Sequence, residues 1–234
     1  MRRWRNAVMS LALVLLAGGC VTTPTGQGTT TMSYLALGDS YTIGEGVAED
    51  GRWPVQLARE LRAAGIALGE PRIIATTGWT TDELAAALDA AEPLGRFDFF
   101  SLAIGVNNQY RGRDVVEYRE QFAALLERAI GFAGGGADRV LVLSIPDWGV
   151  TPFARAQGRD AAQIAAQLDA YNATAAEECA RRGVAFVDIT AVSRERGAQE
   201  AMLVDDALHP SAAMYALWTE RALPVARRLL GGAE

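Results

Sequence analysis

Apolar residues fall along this chain in two alternating patterns: short unbroken runs that end at glycine or proline, and longer stretches with helical spacing. The first run, Tyr34-Leu35-Ala36-Leu37, stops at Gly38 and predicts a buried strand ending in a sharp turn. Arg72 to Ala75, Phe97 to Ile104, Arg139 to Ile145 and Val184 to Asp188 predict four more strands. Amphipathic helix patterns lie between them, over Trp53 to Ala64, Thr81 to Ala91, Val115 to Phe132 and Asp160 to Arg182, and a last one runs from Ser211 to Leu230. Gly65 closes the first helix, Thr81 is expected to cap the second, and Ser211 to cap the last. The strands are almost wholly apolar rather than alternating, which is the pattern of a parallel sheet covered by helices on both faces. The expectation is one α/β domain over residues 32–234, a three-layer α/β/α doubly wound sandwich on a five-stranded parallel sheet.

The N-terminus follows a different logic. Arg2, Arg3 and Arg5 precede an apolar stretch from Ala7 to Ala17 that is too short to span a bilayer and fits a secretory signal. It ends in Leu16-Ala17-Gly18-Gly19-Cys20, which resembles a bacterial lipoprotein signal, with cleavage after residue 19 and lipid attached to Cys20. An ordinary signal peptide cleaved nearby is the alternative. Residues 20–31, rich in Thr, Gly, Pro and Gln, have nothing to bury and predict a flexible tether. By resemblance to other lipoproteins, Val21 after the lipidated cysteine implies a lipid-anchored envelope protein at the outer membrane or the periplasmic face; without the anchor the protein is expected to be secreted. Of the two cysteines, Cys179 lies in a helical pattern and predicts a free buried thiol. Half of the 234 residues are apolar and the formal net charge is −6, with no basic run beyond the N-terminus. That composition supports a real core and excludes nucleic-acid binding.

In an open parallel sheet, ligands bind beyond the C-terminal strand ends. Every loop there carries a functional residue type: Ser40 after the first strand, Gly78 after the second, Gly105-Val106-Asn107-Asn108 after the third, Pro146-Asp147-Trp148-Gly149 after the fourth. Asp205-Asp206-Ala207-Leu208-His209 precedes the last helix, and His209 is the single histidine of the chain. A serine hydroxyl is a poor nucleophile until a base takes its proton, and imidazole is the base matched to neutral pH. A carboxylate three residues before a histidine can share one side of a single turn with it. Asp206 has that spacing, and Asp205 has the same chemistry one residue away.

Together these blocks resemble the SGNH hydrolases, the GDSL esterase and lipase family, over the whole of the predicted domain. Gly38-Asp39-Ser40 matches the first block, with Tyr41 where the family has leucine. Gly78 matches the second, Gly105 and Asn107 the third (with Asn108 where an aspartate often follows), and Asp206 with His209 the last. The resemblance implies a flavodoxin-like SGNH fold and a triad of Ser40, His209 and Asp206. It also implies oxyanion donors from the Ser40 and Gly78 amides and the Asn107 side chain, and neither metal nor cofactor. Trp79, Asn108, Tyr110 and Trp148, with Gln109 and Phe153 on the same loops, are candidate substrate contacts suited to a sugar face or an aryl or acyl chain. The expected activity is hydrolysis of carboxylic esters, short in the acyl group, on a small molecule, lysolipid or glycan. The rivals are an O-acyltransferase or deacetylase of envelope polysaccharide and a non-catalytic lipoprotein binding module.

Overall fold

A computed structural model describes Met1 and residues 31–231. The signal, most of the tether and Cys20 lie outside the described residues.

The chain alternates as its pattern predicts. β1 (Met32–Gly38) leads into a single turn, α1 (Ser40–Ile43), then α2 (Trp53–Ala63), β2 (Leu68–Ala75) and α3 (Thr81–Ala91). β3 (Phe99–Ala103), α4 (Val106–Tyr110), α5 (Val115–Phe132) and β4 (Val140–Leu143) follow. The remainder is α6 (Pro152–Ala156), α7 (Ala161–Arg182), β5 (Ala185–Val187), α8 (Thr190–Arg196) and α9 (Ala212–Leu229). All four strand pairings are parallel, in the order β2-β1-β3-β4-β5. Right-handed crossovers in that order set α2 and α9 together on one face, and α3, α5 and α7 on the other.

The central strands are short because both faces are sealed. Every residue of β3 and β4 is buried, so four or five residues already cross the core. Trp53 of α2 and Trp218 of α9 are fully buried against the sheet, as are Tyr118 and Phe122 of α5. Cys179 of α7 is buried and free, and burial pushes its thiol up to about 12.

Two local expectations need correction. Thr80, not Thr81, caps α3, in a reciprocal box with Glu83. Its N–H donates to the Glu83 carboxylate at 2.9 Å, so the cap satisfies two helix-end donors where Thr81 alone would satisfy one. The second strand also begins four residues before Arg72, at Leu68, because pairing with β1 carries its polar Glu70-Pro71-Arg72 segment along.

The sheet order reverses between β1 and β3, which sit side by side and send their connections to opposite faces. A crevice opens at the C-terminal ends of those strands. Ser40 and Asn107 stand on the two loops that flank it.

Candidate active site

The serine is presented by a turn that only glycine permits. A Cβ on Gly38 would collide with the Thr42 side chain and the Ala103 carbonyl. The chain therefore bends hard as it leaves β1, and α1 starts at Ser40. Asp39 caps that turn, its Oδ1 accepting from the Tyr41 N–H at 3.0 Å. Burial pushes the Asp39 carboxyl up to about 7, although bonds from the amides of Tyr41 and of Asp39 itself pull the other way. Ser40 is 3 % exposed and faces a cleft of about 230 Å³.

The histidine enters the same cleft from a clasped loop. Leu203 and Pro210 form an antiparallel bridge, and the Val204 N–H donates to the His209 carbonyl at 2.9 Å. Inside the clasp Ala207 takes a left-handed φ of 59°. That strained residue turns the chain tightly enough for one Asp206 oxygen to accept from the N–H groups of both Leu208 (2.8 Å) and His209 (2.9 Å). The other carboxylate oxygen lies 2.5 Å from His209 Nδ1. Burial tends to raise the Asp206 pKa, but the His209 ring and the two amides outweigh it and hold the carboxyl below the usual range. Asp205 lines a different groove, with Pro152 and Ala198.

Tyr41 is buried beneath the imidazole, its ring centroid 5.5 Å from that of His209 and 5.9 Å from that of Trp218. It fills the space behind the histidine ring. Nothing in the sequence marked it beyond its place beside Ser40.

A third wall comes from the loops after β2 and β3. Gly78 has a φ of 89° and lines the cleft. Its carbonyl accepts from Arg111 Nη2 at 2.6 Å, while Arg111 Nη1 meets Glu83 at 3.0 Å. Gly105 starts α4 with a φ of 128°, where a Cβ would stand 2.7 Å from Tyr118 and 2.8 Å from Ile145. One residue into that helix, Asn107 donates one Nδ2 hydrogen to the Trp79 carbonyl at 2.9 Å. This fixes the amide and leaves its second hydrogen for the cleft it lines. Asn107 and Arg111, one turn apart on α4 and its C-cap, thus grip consecutive carbonyls of the β2 loop. Sequence reasoning missed Arg111; its spacing of four from Asn107 was the available signal. It also missed Thr77, another cleft residue, whose hydroxyl bonds the Glu45 carboxylate.

The fourth wall is aromatic: Tyr110, Trp148 and Phe153. Trp148 is 2 % exposed and its indole N–H donates to Gln109 Oε1 at 2.8 Å. Gln109 thereby supports the wall rather than lining it. Two further candidates lie elsewhere. Asn108 is fully buried, accepting from the Thr81 N–H (3.1 Å) and donating to its hydroxyl (2.7 Å), because adjacent helical residues point about 100° apart and Asn107 takes the cleft side. The Trp79 side chain packs against the core and offers the cleft's walls only its carbonyl, as the acceptor for Asn107. Among the described residues, no group of three His, Cys, Asp or Glu side chains is placed to hold a metal ion.

The geometry joins an aspartate-held imidazole, a serine at a strand end and a fixed amide around one small cleft. Such a set can activate a hydroxyl and stabilise an oxyanion. Comparison with known proteins agrees on the fold. The model of the GDSL-like lipase/acylhydrolase family matches residues 36–217. No curated protein matches the chain. The structure is similar to that of TesA (TM-score 0.66, 19 % identity, covering 85 % of this chain and 99 % of the other). It is likewise similar to a lipase/acylhydrolase from Enterococcus faecalis (TM-score 0.63, 21 % identity, 87 % and 100 % covered). A third likeness is to a variant of Axe2, an acetyl-xylooligosaccharide esterase from Geobacillus (TM-score 0.62, 19 % identity, 86 % and 94 % covered). These structural likenesses concern the fold, and the family match extends across most of the domain. The chain belongs to the GDSL-like lipase/acylhydrolase family, hydrolases that act on ester bonds.

Proposed function

We propose that this hydrolase is a serine esterase working through an acyl-enzyme. Ser40 Oγ attacks the ester carbonyl while His209 Nε2 takes its proton. His209 then gives the proton to the departing alcohol, and a water activated by the same nitrogen releases the acid. Asp206 keeps the imidazole proton on Nδ1 and stabilises the imidazolium. The oxyanion is met by the amides of Ser40 and Gly78 and the free hydrogen of Asn107 Nδ2, each such donor being worth about 3 kcal/mol in the transition state. The observation that carries this reading is the 2.5 Å contact from Asp206 to His209 Nδ1, made on a ring that shares its cleft with Ser40.

The substrate is a carboxylic ester with a short acyl group. A cleft of about 230 Å³ walled by Tyr110, Trp148 and Phe153 supports a small acyl chain and a flat or sugar-like alcohol. Acetylated glycans fit that description, and the Axe2 variant of similar fold is an acetyl-xylooligosaccharide esterase. Deacetylation of, or acyl transfer to, an envelope polysaccharide would use the same residues. The lipoprotein-like sequence ending at Cys20 supports a lipid-anchored form in the cell envelope.

Hydrolysis of p-nitrophenyl esters from acetate to octanoate tests the esterase reading. Wild type should prefer the short chains and label with a fluorophosphonate, and Ser40→Ala should do neither. An inactive, unlabelled wild type sinks the proposal. Fatty-acid labelling of wild type but not of Cys20→Ala tests the anchor, and an unlabelled wild type removes it.

A further inference from the structure

A cation stands on the aromatic wall of the cleft. Tyr110 and Trp148 meet edge to face, their centroids 5.2 Å apart. The Arg159 guanidinium lies 5.3 Å from each centroid, so the three groups form a nearly equilateral cluster. Their relative positions are held firmly. Gly158 takes a left-handed φ of 62° and the Arg159 N–H donates to the Ala154 carbonyl at 3.0 Å, which delivers Arg159 just before α7. Trp148 is tied through Gln109 to Gln167 of α7 by two bonds of 2.8 Å. The wall and the base of the arginine thus belong to one bonded unit.

The charge on Arg159 is unspent. Among the described residues no carboxylate lies within ion-pair distance of it, whereas Arg111, next after Tyr110 in the chain, is paired with Glu83. A guanidinium held beside aromatic rings is attracted by their π-faces, which accept no N–H bond as a carboxylate would, so its N–H donors stay available to a ligand. Those donors match carboxylate or phosphate oxygens two at a time. The protein as a whole carries a net charge of −6 and repels anions, so an exposed bare cation at this mouth is a local exception to its field.

We propose that Arg159, with Tyr110 and Trp148, forms an outer subsite for esters that carry an anionic oxygen group, carboxylate or phosphate, remote from the scissile bond. Tyr110, the exposed ring of the pair, covers the carbon skeleton, Trp148 backs it, and the guanidinium takes the charge. The inference rests on the esterase reading of the cleft and adds the substrate class.

Ester pairs of similar size, in which one member carries a carboxylate, test it. On the acyl side, 4-nitrophenyl hexanoate is compared with mono-4-nitrophenyl adipate. On the alcohol side, methyl 4-acetoxybenzoate is compared with 4-acetoxybenzoate. The readout is the ratio of kcat/KM for the charged member to that for the neutral member. In at least one pair Arg159→Gln should lower this ratio about tenfold, mainly through KM, and Arg159→Glu should lower it at least as far. The pair that responds identifies which side of the ester carries the charge. Raised salt should lower the wild-type ratio, whereas that of Arg159→Gln should hold or rise as the net negative field is screened. Ratios within twofold of wild type in both pairs overturn the subsite, even where neutral esters are turned over. Failure of wild type to hydrolyse the neutral esters removes the esterase reading itself.

Discussion

Exchanging Asp206 for asparagine preserves the size of the side chain and changes what it presents to His209. In the native loop one carboxylate oxygen is committed to the amides of Leu208 and His209, at 2.8 and 2.9 Å. The asparagine carbonyl must occupy that place, since only an acceptor satisfies two N–H donors. Its amide nitrogen then faces His209 Nδ1, where the native oxygen sits at 2.5 Å. An imidazole facing a donor carries its own proton on Nε2, the nitrogen that takes the proton of Ser40 in the proposed mechanism. The substitution therefore selects the wrong tautomer and also removes the charge that stabilises the imidazolium. A loss of about 10⁴-fold in kcat follows, roughly 5 kcal/mol of barrier. The assay is steady-state hydrolysis of 4-nitrophenyl acetate, with the rate of fluorophosphonate labelling as a second readout and thermal melting as the control for folding. Asp205→Asn, altered at a different groove, should stay within about twofold of wild type. A loss below tenfold for Asp206→Asn, or a larger loss for Asp205→Asn, refutes the assignment.

Arg111→Met removes the grip on the Gly78 carbonyl while leaving Asn107 in place; kcat should fall about tenfold with KM nearly constant, and Arg111→Lys should recover part of the loss. A change confined to KM would refute a positioning role. Asp39, pushed up to about 7 in the fold, keeps a proton between about pH 4 and pH 7 that the unfolded chain has released. Wild-type stability should therefore fall as pH rises through that window. Asp39→Asn retains an acceptor for the Tyr41 amide and cannot charge, so denaturant unfolding at pH 8 should show it gaining up to about 3 kcal/mol on wild type relative to pH 5. Parallel pH profiles would contradict the buried-acid account. Gly105→Ala forces a methyl against Tyr118 and Ile145 at a left-handed φ, and should cost about 3 kcal/mol in a melting experiment; an unchanged Tm would mean that the turn relaxes.

Much of this fold was legible in the amino-acid order, for a physical reason. Strands buried on both faces must be apolar throughout, so Phe99–Ala103 and Val140–Leu143 stand out without any partner being known. Long helices announce themselves by period, and the limits of α5 coincide with its pattern. The candidate chemistry was legible too, because a lone histidine three residues after an aspartate is a local relation along the chain. What a single turn does was not legible. α1 and α4 are four and five residues long, too short to show a period. Which of Asn107 and Asn108 reaches the cleft depends on how α4 is rotated against β3 and the β2 loop. Asp206 is distinguished from Asp205 by the left-handed backbone of Ala207 and the clasp between Leu203 and Pro210. Arg111, Tyr41 and Arg159 acquire their places only through partners far away in sequence, at Gly78, at Trp218 and at Tyr110. Burial and periodicity are properties of one segment at a time. The direction a side chain takes at a cleft is set by the contacts between segments, and those exist only once the sheet has closed.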